Sequence, residues 1–394
     1  MSKIFLSIIL STILFFTFAC NISKAATKFR EPMIGAQISV LEGDNWKTCE
    51  EYFKNLKKLG YNTIILRVFH NREDRFHNLV KKSTRKQILE GVYFKTDQAP
   101  TISDILTPAC KSAQRAGLKL FAWMTTLKSN YARKSRPQVL SFDIKRNRFI
   151  REKNLLDPQA LENIAFLKQL FKDLAAYPID GILLQDDLIL RHNQGFERTM
   201  QGIVPRLKDI YKSPSQLKPY KIRFYRWRRQ QALNLQHLAN EIFTTCRALK
   251  PKLLCAQNVH YELLYNSDWG RDWFACTLES LALSKADYLM IMSYQERIKR
   301  ELELVTEREL SSTMLQLFEN GRAHEKERII FKFETPSLTG SYKQQQKSIT
   351  TLQESINNAR KKGWRDLVLT PCNNLEAANA VTNPATQTGL PARK

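Results

Sequence analysis

Two adjacent carboxylates, Asp186 and Asp187, close the apolar run GILLQDDLIL, and a third acid, Glu334, closes another, RIIFKFET. Acids at the edge of buried hydrophobic sequence repel one another and resist desolvation, so their placement asks for a reason. Glycoside hydrolysis supplies one. It needs a protonated carboxyl to serve the leaving oxygen and a charged group to stabilise an oxocarbenium-like centre. Neighbouring acids also suit a substrate-assisted route, in which the sugar's own 2-acetamido oxygen attacks, one carboxylate orients the amide and the other is the acid. The structural alternative is that Asp186 caps the following segment while Asp187 pairs with an arginine. Flat apolar rings are the second requirement of a sugar cleft. Trp123 and Tyr294 end apolar runs and are expected as platforms, with Tyr261 and Tyr93 as further candidates, although each equally suits core packing. Asn258 is expected to hydrogen-bond sugar or fix a carboxylate.

The elements that must carry these residues repeat one rhythm: a short apolar run, a loop, then a helix-period segment. Strands are expected over residues 33–41, 63–69, 118–127, 179–187, 253–261, 286–296, 328–335 and 366–374. Between them, Cys49, Phe53, Leu56 and Leu59 mark one helix, closed by Gly60. Asp157-Pro158 is expected to open another, as N-cap and first helical residue. A long helix is expected from about 224 to 249. Eight strands alternating with helices predict an α/β fold, a parallel (β/α)8 TIM-like barrel, whose active site lies at the C-terminal strand ends. No glycine-rich nucleotide loop follows the first strand, which argues against an open doubly wound sheet. Long connections over 128–156 and 189–222, after strands three and four, are expected to shape the cleft.

The chain has 394 residues and a formal net charge of +24. That excess favours acidic partners such as nucleic acid, anionic lipid or acidic glycan. Residues 1–25 read as a signal peptide: Lys3, a short apolar run, then Ser23-Lys24-Ala25 for cleavage. An uncleaved N-terminal anchor is the alternative, and Cys20 is a lipobox candidate that would anchor the chain to a membrane. Export to the periplasm, the outer membrane or the medium follows. The barrel is expected over 30–376 and a disordered tail over 377–394. Among the remaining cysteines, Cys246 and Cys255 are the best-placed pair for a disulfide. The six histidines form no zinc spacing, so neither metal nor cofactor is expected. KIRFYRWRR (221–229) interleaves basic and aromatic residues, but it opens an amphipathic helix, and nucleic acid is not an expected partner.

Several stretches together resemble a known family, the C-terminal glycoside-hydrolase domain of the bacterial poly-β-1,6-N-acetyl-D-glucosamine N-deacetylases. They are YFKNLKKLGYNTIILRVF, GVYFKTDQAPTISDILTPACKSAQRAGLKLFAWM, LLDPQALENIAFLKQLFKDLAAYPIDGILLQDDLIL and FKFET, in family order from about Met33 to Asn374. The resemblance implies a barrel that binds and cleaves the partly deacetylated polymer, a biofilm exopolysaccharide. Asp186 or Asp187 would be the general acid, and Glu334 the acid of the seventh strand. Gln185 stands where the family has His, and deacetylase activity is not expected because that domain's metal-binding sequence is missing. The family polymer is cationic, whereas this chain is basic.

The sequence thus predicts an endo-acting glycoside hydrolase on an amino-sugar exopolysaccharide, with envelope or exopolysaccharide-export proteins as partners. The rivals are a non-hydrolytic polysaccharide-binding barrel that assists export, and a basic envelope protein that holds acidic glycan or lipid electrostatically.

Overall fold

The computed structural model describes residues 31–129, 131, 136–143, 146, 148–196, 221–336, 341–373, 375, 378 and 379. The expected signal peptide, Cys20 and nearly all of the expected tail lie outside them. Ala378, which falls in that expected tail, is buried, and its carbonyl accepts from the Tyr61 hydroxyl at 3.0 Å.

Eight parallel strands close into a barrel. They are β1 (Ile34–Ile38), β2 (Thr63–Arg67), β3 (Lys119–Met124), β4 (Gly181–Leu184), β5 (Leu254–His260), β6 (Tyr288–Met292), β7 (Ile329–Glu334) and β8 (Leu367–Thr370). Each pairs with its chain neighbour, and β8 returns to β1 through Ile34 opposite Leu367. Most are buried on both faces, which explains their near-continuous apolar sequence. Ile65, Phe121, Leu183, Ala256, Met290 and Ile330 belong to an inner cluster that fills the barrel. At Gly181 a Cβ would collide with the Phe121 ring, so only glycine lets that ring lie across the interior.

A larger apolar shell lies between strands and helices. Helix α1 (Trp46–Lys58) follows β1 as the spacing predicts: Asn45 accepts from the Thr48 amide at 3.0 Å, Cys49, Phe53 and Leu56 are buried, and Gly60 takes φ +88°. Helices α2 (Leu106–Arg115), α3 (Leu161–Ala175) and α4 (Lys221–Leu249) follow β2, β3 and β4; α5 (Glu307–Glu325) and α6 (Tyr342–Lys361) follow β6 and β7. Among the described residues no helix is long and apolar enough to cross a membrane.

Two expectations are corrected. Asp157 does not cap α3, which begins at Leu161 after Ala160. The Asp157 amide instead donates to Pro137, and its side chain accepts from the Gln159 amide, forming a turn ahead of the helix. Cys246 and Cys255 do not bridge. Both thiols are free and buried, each facing a different backbone carbonyl, of Phe171 and of Leu253. The long connection after β3 carries an antiparallel hairpin, Gln138–Asp143 with Arg148–Leu156. Phe142 of that hairpin joins Phe196, Phe224 and Trp227 in a separate cluster, tying the hairpin, the loop after β4 and α4 together.

Candidate active site

Side chains alternate along each strand, and those in register with the inner cluster face the barrel interior. At the C-terminal rim this parity selects Arg67, Trp123, Gln185, Asn258, Lys332 and Glu334. Trp123 packs against the inner cluster, and its indole N–H donates to the Gln185 side-chain oxygen. The position where the family carries His is therefore spent on orienting a ring.

Asp187 turns back toward the end of β3. It accepts from the Thr125 hydroxyl (2.7 Å), the Thr126 amide (2.9 Å), the Thr126 hydroxyl (2.7 Å) and the Lys128 amide (2.6 Å). Burial raises its carboxyl above the ordinary range, and these donors act against that rise. A carboxylate offers about four lone-pair directions, so four donors leave none for a substrate. Asp187 locks the loop.

Asp186 is the opposite case. No hydrogen bond or ion pair engages its half-buried carboxylate among the described residues, while its charge acts on Lys332, Tyr294, Arg191 and Arg297. Lys332 is buried inside the barrel. Its ammonium donates to the Asn258 side-chain oxygen at 2.8 Å, and burial pushes its pKa down to about 7. Asn258 thus faces the interior but is occupied by Lys332.

Glu334 ends β7 with its amide donating to Gln295 at 2.9 Å. Its Oε2 is enclosed without a hydrogen-bond partner among the described residues. Burial first, then Glu296, raises its carboxyl, opposed by Arg300 and Arg297. Tyr294 sits half-buried at the end of β6. Burial raises its hydroxyl pKa, and the charges of Asp186 and Glu334 both add to the rise. One phenol therefore lies in the field of both acids.

The two remaining aromatic candidates do not offer a face to a cleft. Tyr93 is wholly buried with its hydroxyl 2.9 Å from His70 Nδ1. Tyr261 is buried in the outer shell and donates to Glu301 at 3.1 Å.

Sequence reasoning missed several rim residues. Lys332 was legible in principle, as a lysine in the apolar strand IIFKFE two residues before an inward acid. Glu262, just past β5, is pushed up to about 7 by burial; its Oε2 lies 3.9 Å from His260 Nδ1 and makes no hydrogen bond among the described residues. His260 stacks on Phe274 at 3.9 Å and is pushed down to about 3 by burial. Trp273 is exposed beside His192, with ring centroids 4.7 Å apart. Among the described residues no group of three His, Cys, Asp or Glu is placed to hold a metal ion.

A closed (β/α)8 barrel with acids at its C-terminal strand ends is an architecture on which glycoside hydrolysis is carried out. The chain belongs to hypothetical glycosyl hydrolase family 13, whose sequence model matches residues 56–367. Among solved structures it is similar to the PgaB (BpsB) glycoside hydrolase domain from Bordetella bronchiseptica. There the TM-score is 0.63 at 15% identity, covering 90% of this chain and 99% of that one. It is also similar to the catalytic domain of β-amylase from Paenibacillus polymyxa (TM-score 0.52, 12% identity, 89% and 95% covered). The endo-1,4-β-mannanase from Rhizomucor miehei is similar too (TM-score 0.52, 9% identity, 91% and 95% covered). At these identities the likeness is one of fold. No curated protein matches the chain by sequence.

Proposed function

We propose that this glycoside hydrolase cleaves an amino-sugar exopolysaccharide internally, with Glu334 as proton donor and Asp186 as the charged carboxylate at the reacting carbon. Partly deacetylated poly-β-1,6-N-acetyl-D-glucosamine is the polymer the family resemblance favours. The observation that carries the reading is the enclosed Glu334 Oε2, which no hydrogen bond occupies among the described residues and where burial favours the protonated form. Supporting it, Asp186 keeps a carboxylate that no protein donor occupies among the described residues, and the charges of both acids raise the Tyr294 hydroxyl pKa. Asp187 is the positioning residue that holds Asp186 in place, and Trp123 and Trp273 are rings a pyranose could stack on. The signal-like N-terminus supports action in the envelope or outside the cell.

The test is mass spectrometry of fragments after incubation with the partly deacetylated polymer, alongside chitin. Internal cleavage gives oligomers of several sizes that disappear in Asp186→Asn and Glu334→Gln. Polymer bound by the wild-type protein with no fragments released would replace this reading with that of a binding barrel.

A further inference from the structure

Gln37, near the end of β1, points into the barrel. Two residues before it, a Cβ on Gly35 would stand 2.9 Å from the side chain of Val368, an inner-cluster residue, so both positions lie on the inward row. Gln37 is only 2% exposed, and its Oε1 is sealed from solvent with no hydrogen-bond partner among the described residues. Its Nε2 is likewise unpartnered there but is not sealed, so the amide stays within reach of solvent. A buried amide oxygen without a donor lowers stability. A loose backbone is not the reason for it. The Gln37 carbonyl accepts from the Cys372 amide at 2.7 Å. Just beyond, the Asn373 side-chain oxygen accepts from the amides of Ser39 (3.0 Å) and Val40 (3.1 Å), which binds the end of β1 to the loop after β8.

Strand register brings Gln37 to the level of Glu334. Ala36 stands opposite Leu369 and Glu334 opposite Thr370, so Gln37, Thr370 and Glu334 share one level across β1, β8 and β7. Gln37 and Glu334 are therefore two strand spacings apart, about 10 Å between backbones, with both side chains directed into the gap. The Glu334 Oε2 is sealed and unpartnered too. On β2, the inward Arg67 is held by Asp74 at 3.4 Å and by the Arg75 carbonyl, yet its Nε is sealed without a hydrogen bond among the described residues. Elsewhere on the rim inward polar side chains find each other, Trp123 with Gln185 and Lys332 with Asn258. From β7 through β1 to β2, an acid, an amide and a guanidinium each keep an atom that the chain does not satisfy.

We infer that Gln37 is a substrate-binding residue of the cleavage site, its amide hydrogen-bonding the hydroxyl edge of the sugar ring that seats beside Glu334. The inference rests on Glu334 being at the reacting centre. A hydroxyl both donates and accepts, so one sugar edge matches the Oε1 acceptor of Gln37 and the Nε donor of Arg67. The substrate then supplies the partner that the fold withholds.

Gln37→Met keeps the length of the side chain and removes its polar atoms. Its urea unfolding midpoint should equal or exceed that of the wild type, because a buried amide without a partner is gone. Its kcat/KM on the partly deacetylated polymer should fall about tenfold, the scale of one neutral hydrogen bond. Titration calorimetry with short oligosaccharides of that polymer, on Asp186→Asn, should show binding weakened to a similar extent when Gln37→Met is added. Wild-type protein that binds the oligosaccharides but releases no fragments removes the hydrolytic reading alone, and the calorimetric loss still identifies Gln37 as a sugar contact. A Gln37→Met protein whose kcat/KM and affinity stay within about twofold of its parent overturns the proposal. So does the absence of binding to either calorimetric protein. Loss of stability in both Gln37→Met and Gln37→Leu overturns it as well, since the amide would then serve the fold.

Discussion

Thr126 gives Asp187 two hydrogen bonds at once, from its amide at 2.9 Å and from its hydroxyl at 2.7 Å, and so the end of β4 is tied to the end of β3. Of two neighbouring acids, one is consumed by the scaffold. The other is freed by it.

Asp187→Asn turns an acceptor of four donors into a group that must present an NH2 to some of them. We expect a loss of about 1–3 kcal/mol of stability in urea unfolding, together with reduced activity, because the loop bearing Asp186 loosens. Thr126→Val should reproduce a smaller loss of the same kind. An Asp187→Asn protein as stable as the wild type would show that the donors contribute no net stability.

Asp186→Asn and Glu334→Gln should behave differently. Neither side chain is a bound acceptor of protein donors, so unfolding midpoints should stay within about 0.5 kcal/mol of the wild type. Cleavage should fall by ~100-fold or more in each, the usual scale for removing a catalytic carboxyl. Steady-state kinetics beside denaturant curves separate the two effects.

Lys332 makes stability depend on pH. Its ordinary pKa of 10.5 falls to about 7 in the fold, so between those values the unfolded chain carries a proton that the native protein lacks. The unfolding free energy should therefore rise with pH across that window, and the cost of burying the ammonium should be fully felt below it. Lys332→Met should flatten this rise, measured as the difference in stability between variant and wild type from pH 7 to 10.

Glu262 gives the opposite slope. Its carboxyl moves from an ordinary 4.5 to about 7, so the native protein keeps a proton that the unfolded chain loses in between. Its contribution is present below about 4.5 and is lost as pH rises through 7. Glu262→Gln should be more stable than the wild type at pH 8 and nearly equal to it at pH 4.

The barrel was readable because β2, β4 and β6 are buried on both faces and keep an unbroken apolar sequence, with amphipathic helices between them. Asp186 and Glu334 were readable as acids placed where apolar runs stop. What the sequence concealed was partnership. Asp187 looks the same as Asp186 until the Thr125-Thr126 turn closes on it, and Tyr93 looks like a cleft residue until His70 meets its hydroxyl. Asp157 failed as a cap because its side chain accepts from the Gln159 amide in a turn that closes before the helix opens at Leu161.

The Phe121 ring, lodged over Gly181 with the other inner side chains packed against it, blocks the cylinder from within. A sugar unit that reaches the strand ends therefore cannot pass down the barrel axis, and the spacing of contacts at those ends governs which bond comes to rest beside Asp186 and Glu334.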